Sequence, residues 1–342
     1  MGRPTIRDLA EAAGVSVSTV NRVVGGRGTV REDTMRRVLE AAEAIGFYGL
    51  GAIRQRVLAR RTHYALKVLL LQRDRSFYQA LGHALERAAA AVGDATVALE
   101  LAFVDDLSPD KVAARIIELG ADADALAVVA AEHPRVSEAL GRLLADGVPV
   151  FSLISPLSAN GDVGYVGLDN WKVGRTAAWA FDRMCARRGK IGILIGNHRY
   201  RNQELNESGF RSYFREHGGG FEPLEPLATF ESRAIAREMT ERLLTEHPDL
   251  AGLFVSGGGV TGALAALRES GRSEGIMTVG YELMDETKTA LLDGTLTLVI
   301  SHPLERLARE AIAAMIRARA EGGDGAGRTV TLPFDIYTPE NL

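Results

Sequence analysis

The sequence predicts a small all-α head followed by a two-lobed α/β body. Three observations predict it: three short helical patterns in the first 46 residues, a charge that changes sign after Arg61, and a long alternation of strand and helix patterns beyond that point. At 342 residues the chain exceeds what one hydrophobic core usually covers, so more than one domain is expected.

The charge is divided unevenly along the chain. Residues 1–61 contain 11 arginines and no lysine against 6 acidic residues, a net charge of +5, whereas the rest of the chain carries −9. A basic head on an acidic body is typical of a protein whose head alone meets a polyanion. A solvated charged face without a partner is the alternative that charge by itself leaves open.

The composition places the chain among ordinary globular proteins. Hydrophobic residues make up 46% and charged residues 25%, and no apolar run approaches the roughly 18 to 20 residues needed to cross a bilayer. Charged residues such as Arg3 and Arg7 interrupt the N-terminus, and the single Cys185 cannot form an intramolecular disulfide. We therefore expect a cytoplasmic protein with no membrane contact.

The head is predicted to begin with a helix, a tight turn and a second helix. Thr5 followed by Asp8 is a helix-start signal, Gly14 ends that helix, and Ser16 can cap a second helix over residues 17–24. A third helix is predicted over residues 32–45. The first two helices have the geometry that lets one helix enter the major groove of DNA while its neighbour crosses the backbone.

The body is predicted from its alternating patterns. Apolar runs predict strands near residues 66–71, 97–103, 125–130, 148–153, 190–196, 251–256, 276–280 and 297–300, with helices between them. Such alternation favours parallel sheets covered by helices, here divided into two lobes. Ligands of such folds bind at the carboxyl ends of the strands, in the cleft between the lobes.

The head motif resembles a known family. The pattern T-I-x-D-L-A-x-x-A-G-V-S-x-S-T-V-x-R-V over residues 5–23 is similar to the headpiece of the lac-repressor family of bacterial transcription regulators. The resemblance implies that bases are contacted by Val17, Ser18 and Arg22. It implies that phosphates are held by Thr5, Ser16, Thr19, Asn21 and Thr34.

The head also departs from the family pattern. Asn21 replaces the usual Ser, and Gly25-Gly26 replaces Asn-Gly after the recognition helix. In the linker after Gly46, the family's Pro-Asn is Gly49-Leu50, and Arg56 stands where a Leu normally wedges between bases in the minor groove.

Three interpretations of this linker remain open at the level of sequence. Val57 or Leu58 takes over the role of the wedge, or Arg54 and Arg56, with Arg60 and Arg61, grip a narrow minor groove through their charge. A plain charged connector is the third. Arg54 and Arg56 are retained as candidate DNA contacts.

Residues 64–338 resemble, more weakly, the periplasmic-binding-protein-like (type I) effector domain of the same family. The resemblance implies a ligand site made of Phe77, Tyr78, Asp169, Asn206, Phe230, Ser256, Glu282 and His302. Asn206 stands where the family has a ligand-clamping Arg. The loss of that cation favours a neutral sugar or polyol over a carboxylate or phosphate.

A second function class competes for one motif. Gly257-x-Gly259-x-x-Gly262 follows a predicted strand and precedes a helix, and Glu282 lies twenty residues beyond, as in a dinucleotide fingerprint. This predicts a nicotinamide-dependent oxidoreductase as the alternative. About sixty residues follow Glu282, too few for the second half of such a domain.

The sequence thus predicts a non-enzymatic, sequence-specific DNA-binding regulator. We expect no cofactor, no metal and no catalytic residues, and a homodimer that binds a near-palindromic operator. Release from DNA on ligand binding and corepression both fit. The expected domains are a helix-turn-helix head (1–48), a linker (49–62) and an effector domain (63–342), with one lobe over 63–166 and 302–322 and the other over 167–300 and 328–342.

Overall fold

The computed structural model describes residues 3–26, 29–59, 61–322 and 329–342. Contacts divide the chain into a first unit, Met1–Tyr64 with Val92–Ala98, and a second unit, Ala65–Ala91 with Leu99–Leu342. We call the part of the first unit up to Tyr64 the head and the second unit the body. Each is described by itself.

The described part of the head contains four helices. They are α1 Ile6–Ala13, α2 Val17–Gly25, α3 Glu32–Ala44 and α4 Leu50–Ala59. Leu9, Val20, Val38 and Ile53, one from each helix, are fully buried in one apolar cluster. The fourth helix is therefore part of the head core, which the linker prediction for residues 49–62 did not include.

Two local signals set the first helices. Thr5 and Asp8 form a reciprocal capping box at the start of α1, and Gly14 ends α1 in the left-handed conformation, with φ of 63°. Ser16 then caps α2 by accepting a hydrogen bond from the Thr19 N–H. These are the start and stop positions that the sequence predicts.

The body holds two sheets. The strands are β1 Thr62–Leu71, β2 Ala95–Val104, β3 Ala125–Val128, β4 Val150–Leu153, β5 Gly164–Leu168, β6 Gly189–Ile195, β7 Phe221–Pro223, β8 Leu227–Ala228, β9 Leu250–Val255, β10 Met277–Tyr281, β11 Leu298–Ser301, β12 Thr329–Leu332 and β13 Asp335–Tyr337. The first sheet has the order β12-β5-β4-β3-β1-β2 and the second β13-β11-β10-β9-β6-β7, with β8 also paired to β6.

Helices connect the strands of both sheets. They are α5 Ser76–Ala90, α6 Pro109–Gly120, α7 Pro134–Ala145, α8 Asn170–Met184, α9 Arg201–His217, α10 Arg233–Glu246, α11 Val260–Glu269, α12 Asp285–Leu292 and α13 Leu304–Ala320, with a 3₁₀ turn at Ser273–Gly275. Strands such as β3, β4 and β9 are buried along their whole length because helices cover both faces of a parallel sheet.

At residues 328–342 the structure differs from the predicted boundary of the second lobe. Residues 328–342 were assigned to the second lobe, but β12 pairs in parallel with β5 of the first sheet, from Thr329↔Tyr165 to Leu332↔Leu168. β13 then pairs antiparallel with β11 of the second sheet. The chain crosses between sheets at Pro333-Phe334, and hydropathy alone gives no sign of this because both strands are short.

Candidate nucleic-acid interface and ligand cleft

The recognition helix α2 separates its residues by face. Val20 and Val23 are buried, whereas Ser18, Asn21 and Arg22 are exposed and Val17 retains 42% of its surface. Arg22 Nη2 lies 3.4 Å from Ser18 Oγ, one turn away. The polar face predicted to contact bases therefore points to solvent.

The hydroxyls predicted to hold phosphates cap helices in this structure. Thr5 Oγ1 donates to Asp8 Oδ2 at 2.8 Å, and this contact together with the Thr5 N–H bond lowers the pKa of Asp8. Ser16 Oγ accepts from Thr19 N at 3.1 Å and lies 2.8 Å from Thr19 Oγ1. Thr34 is half-buried on α3. Phosphate contact by these residues stays a prediction.

The two linker arginines are bound within the head. Arg54 pairs with Glu43 at 2.6 Å, and Arg56 Nη1 donates to the Val23 carbonyl of α2 at 3.1 Å. A Cβ on Gly26 would lie 3.2 Å from Arg56 Nε, so the guanidinium covers the end of the recognition helix. Both guanidinium groups are thus paired within the head, and their contact with a minor groove stays a prediction.

The structure describes the side chain of only one of the two residues, Val57 and Leu58, that could act as the wedge. Val57 is packed against the apolar cluster of the head, because α4 turns this residue inward. The side chain of Leu58, and Arg60 as a whole, lie outside the described residues. Tyr48, which sequence reasoning missed, is 71% exposed and lines a groove with Thr5, Arg7 and Val17 beside the start of α2.

The body has a small cavity at the carboxyl ends of strands from both sheets. Its volume is about 100 Å³. It is lined by Gln72, Arg75, Phe77, Tyr78, Val129, Ile154, Ser155, Tyr200, Asn202, Gln203, Glu231, Gly257, Gly258, Gly259, Val260, Tyr281, Glu282 and Met284. Phe77, Tyr78 and Glu282 are thus brought together as predicted ligand residues.

Glu282 organises one end of the cavity. Its Oε2 accepts from Ser301 Oγ and from the His302 N–H, both at 3.1 Å, and its Oε1 lies 2.6 Å from His302 Nδ1. Nδ1 is the His302 ring nitrogen that faces this carboxylate, and Nε2 points away from it. That nitrogen is buried and has no partner among the described residues.

Aromatic hydroxyls and rings surround this pair. The Phe77 ring centroid lies 6.4 Å from that of His302, and the Tyr281 centroid 5.8 Å. Burial raises the pKa of Tyr78, Tyr200 and Tyr281, so all three stay neutral hydroxyls in ordinary solution. The Tyr281 hydroxyl has no hydrogen bond within 3.5 Å in the described residues, although the Asn202 and Asn206 amides lie near it.

Four predicted ligand residues lie elsewhere. Asp169 caps α8, accepting from the Lys172 N–H at 3.2 Å. Asn206 is fully buried, and its amide, oriented to satisfy both ends, accepts from Ser256 Oγ at 3.1 Å and donates to two carbonyls. Phe230 is 64% exposed. Asp169, Asn206 and Ser256 thus have partners within the chain, and neither these residues nor Phe230 and His302 line the cavity. Their contact with a ligand stays a prediction.

Sequence reasoning missed eight polar residues of the cavity: Gln72, Arg75, Ser155, Tyr200, Asn202, Gln203, Glu231 and Tyr281. Arg75 places a cation in the cavity, whereas the presence of Asn206 in place of an arginine predicts a site without one. The segment Asn197–Gln203 directly follows β6, so the rule that ligands bind at strand ends was the signal that could have found Tyr200 and Gln203.

The glycine-rich motif has a packing role. A Cβ on Gly258 would lie 1.6 Å from Glu231 Oε2, and one on Gly262 2.0 Å from the Arg233 carbonyl of α10. The chain's own atoms therefore fill the space where a pyrophosphate would approach. Glu282 is already bonded to Ser301 and His302. Nothing in this geometry favours the oxidoreductase alternative.

Neither a metal cluster nor a membrane-spanning helix occurs in the described part of the chain. No group of three or more His, Cys, Asp or Glu side chains there has the arrangement to hold a metal ion. Cys185 Sγ lies 3.2 Å from the Arg187 carbonyl at the end of α8. Across the same ranges, no helix combines the length and the apolar character that crossing a bilayer requires.

The head thus has an exposed second helix in a helix-turn-helix arrangement, and the body has a cleft at the strand ends of its two sheets. Comparison with family models agrees. Residues 67–323 match the periplasmic binding protein domain and residues 5–49 match the bacterial regulatory proteins of the lacI family. The chain belongs to the family of the periplasmic binding protein domain, and its residues 5–49 form a lacI-type head.

Individual relatives match one part of the chain each. The D-apiose import binding protein of Paraburkholderia graminis is 21% identical over 59% of this chain and 65% of its own length. The regulator MalR of Streptococcus pneumoniae is 43% identical over 44 residues, 13% of either chain. The chain thus spans less than two thirds of either relative.

Solved structures match the body. The glucose-galactose binding protein GanP of Geobacillus stearothermophilus superposes with a TM-score of 0.72 at 19% identity, over 81% of this chain and 99% of that one. A solute binding protein of Burkholderia graminis in complex with D-arabinose gives 0.72 at 18% identity, over 81% and 96%. At these identities the likeness establishes the fold alone.

Proposed function

We propose that this protein is a transcriptional regulator that binds a specific DNA sequence through its head and whose DNA affinity is set by a small neutral sugar or polyol bound in the body. The observation that carries the proposal is the exposed face of α2. Val17, Ser18 and Arg22 project from a capped helix of a head with a net charge of +5. Base contacts give specificity, and the surrounding arginines give affinity for the backbone.

The cavity supports a hydroxyl-rich ligand. Its polar groups are neutral tyrosine hydroxyls, amides, one guanidinium and two carboxylates, next to aromatic rings that can stack on a sugar face. Among the residues that line the cavity, Asn202 Oδ1 and the Tyr281 hydroxyl are buried and have no hydrogen-bond partner in the described part of the chain. Hydroxyl groups of a ligand supply the missing donors, because buried polar atoms are costly when left unpaired.

Two copies of the chain act together in this proposal. A single head offers few base contacts for the affinities usual in specific DNA binding, whereas two heads related by a twofold axis bind half-sites about one helical turn apart. The operator is then near-palindromic and the regulator a cytoplasmic homodimer without enzymatic activity. A ligand that prefers one lobe arrangement by about 1 to 3 kcal/mol changes operator occupancy roughly 5- to 150-fold.

The test has a DNA part and a ligand part. Selection from a random duplex pool is expected to recover a near-palindromic sequence, bound with a steep dependence on salt. Thermal-shift titration with D-apiose, D-glucose, D-galactose, D-arabinose and xylitol is expected to raise Tm for at least one compound; a ligand at a hundred times its Kd adds about 2.7 kcal/mol of stability. Failure to enrich any duplex would contradict the regulator assignment, and a response only to acids or amines would contradict the ligand class.

A further inference from the structure

One carboxylate of the cavity is positioned by a chain of hydrogen bonds. The N–H groups of Gly196 and Asn197 both donate to Gln203 Oε1, at 2.5 and 3.2 Å, which fixes the orientation of that amide. Gln203 Nε2 then donates to Glu231 Oε1 at 3.1 Å. Oε1 is therefore held in place, while Oε2 has no hydrogen bond among those found in the described residues.

Glycines make room for this carboxylate. A Cβ at Gly196 would lie 1.6 Å from Glu231 Oε1, and one at Gly258 1.6 Å from Oε2. A Cβ at Gly257 would likewise lie 2.5 Å from Gln203 Oε1. Any side chain at these positions displaces either the acid or the amide that positions it, so the glycine-rich run after β9 accommodates Glu231.

The backbone that presents the acid is strained. Phe230 and Glu231 have φ of 49° and 59°, a conformation that side chains other than glycine adopt at a cost. Buried Thr229 fixes one end of this turn, donating from Oγ1 to the Gly258 carbonyl at 2.7 Å, and Ser232 caps α10 at the other. Strain of this kind is concentrated at binding sites, where the surrounding structure enforces it.

A cation from the other sheet faces the acid. Arg75, between β1 and α5, donates from Nη2 to the Glu231 carbonyl and from Nε to Gln72 Oε1 at 3.2 Å. Two of its five N–H groups are thus used, and the rest remain available at the cavity. A ligand held here meets an acceptor from one lobe and donors from the other.

We propose that Glu231 is the residue that selects the ligand: its Oε2 accepts a hydrogen bond from a hydroxyl of a small neutral polyhydroxy compound, while Arg75 donates to an oxygen of the same compound. Hydroxyl groups can donate to Glu231 and accept from Arg75 without carrying a charge, whereas a cationic ligand is repelled by Arg75 and an anionic ligand by Glu231. The inference rests on the proposed function and adds a residue to it. Arg75 and Glu231 both line this cavity, so both groups can reach one small ligand.

The test measures ligand affinity in the full-length protein by calorimetric titration. The compounds are D-apiose, D-arabinose, D-glucose, D-galactose and xylitol, with D-glucosamine and D-gluconate as the cationic and anionic probes. Glu231→Gln and Glu231→Ala are expected to weaken the best neutral compound at least tenfold, while Glu238→Gln, an exposed acid on α10, leaves its affinity unchanged. Equal affinity in the parent and both Glu231 variants overturns the proposal, and so does a parent that prefers D-glucosamine or D-gluconate to every neutral compound.

A second measurement needs no ligand. Glu231→Gln keeps the size of the side chain and an acceptor for Gln203 Nε2 but removes the charge, so Tm is expected to stay within about 2 °C of the parent if the residue serves ligand binding. A clear fall in Tm makes Glu231 a structural residue and overturns the proposal. If no compound binds the parent, the ligand class under the proposed function fails, and this Tm comparison still decides the role of Glu231.

Discussion

The head surface and the ligand cleft use polar side chains in opposite ways. On α2, Ser18 and Arg22 are exposed and share one long contact of 3.4 Å. In the cleft, Gln203 is fixed by two backbone N–H groups, and Glu282 accepts from Ser301 and His302. The difference teaches that the head is organised by its backbone, with DNA left to order the side chains, whereas the cleft is preorganised before its ligand arrives.

The largest difference between the two sites is expected in their response to salt. If two heads together neutralise 6 to 10 phosphates, affinity for the selected duplex falls about 10³- to 10⁵-fold between 50 and 200 mM salt. A neutral ligand in the cleft releases no counterions, so its Kd is expected to change less than about twofold. Fluorescence anisotropy measures the affinity for DNA and calorimetry the affinity for the ligand. Equal dependence of both affinities on salt would contradict the expected difference between the two sites.

Arg22→Ala tests the base-contacting face directly. We expect a loss of about 1 to 3 kcal/mol in binding to the selected duplex and a relaxed preference at one base pair of each half-site, because an arginine fork on a guanine is lost. Arg242→Ala, an exposed arginine on α10 paired with Glu246, is the control and leaves binding unchanged. A variant that binds every duplex as the parent does would exclude Arg22 from recognition.

The sequence predicts the head so well because its chemistry is contiguous. Thr5, Gly14 and Ser16 are start and stop signals within one stretch, and the face of α2 follows from helical spacing alone. The alternation of strands and helices similarly predicts the two-lobed body, since each buried strand is a local apolar run. The hydropathy pattern does not predict the place of β12, because this four-residue strand joins the first sheet only through its pairing with β5.

The cleft is harder to predict because its residues are distant in sequence. Arg75 and Glu231 are 156 positions apart and meet only in the folded chain. Alignment with the family predicts ligand contacts for Asn206 and Ser256, and in the structure these two side chains form a hydrogen bond with each other in the core. Their contact with a ligand stays a prediction.

Arg56→Ala asks whether the fourth helix is tied to the recognition helix before DNA binds. Loss of the bond to the Val23 carbonyl, together with the packing over Gly26, is expected to destabilise the head by about 0.5 to 1.5 kcal/mol. Hydrogen exchange of the full chain without DNA is expected to show protected amides in α4 of the parent and faster exchange in the variant. Rapid exchange throughout α4 of the parent would instead mean that this helix forms only on DNA.

Arg54→Ala is expected to have the smallest effect, and this makes it the sharpest comparison with Arg56→Ala. Both the guanidinium and its partner Glu43 are largely exposed, with 56% and 44% of their side-chain surfaces accessible, and exposed pairs contribute about 0 to 1 kcal/mol. The stability of the head is therefore expected to change little. If Arg54 leaves Glu43 to reach the minor groove, the variant loses DNA affinity and its salt slope falls by about one, whereas a role confined to the ion pair leaves both unchanged. The two arginines of one helix then separate a residue that holds the head together from one that is free to bind DNA.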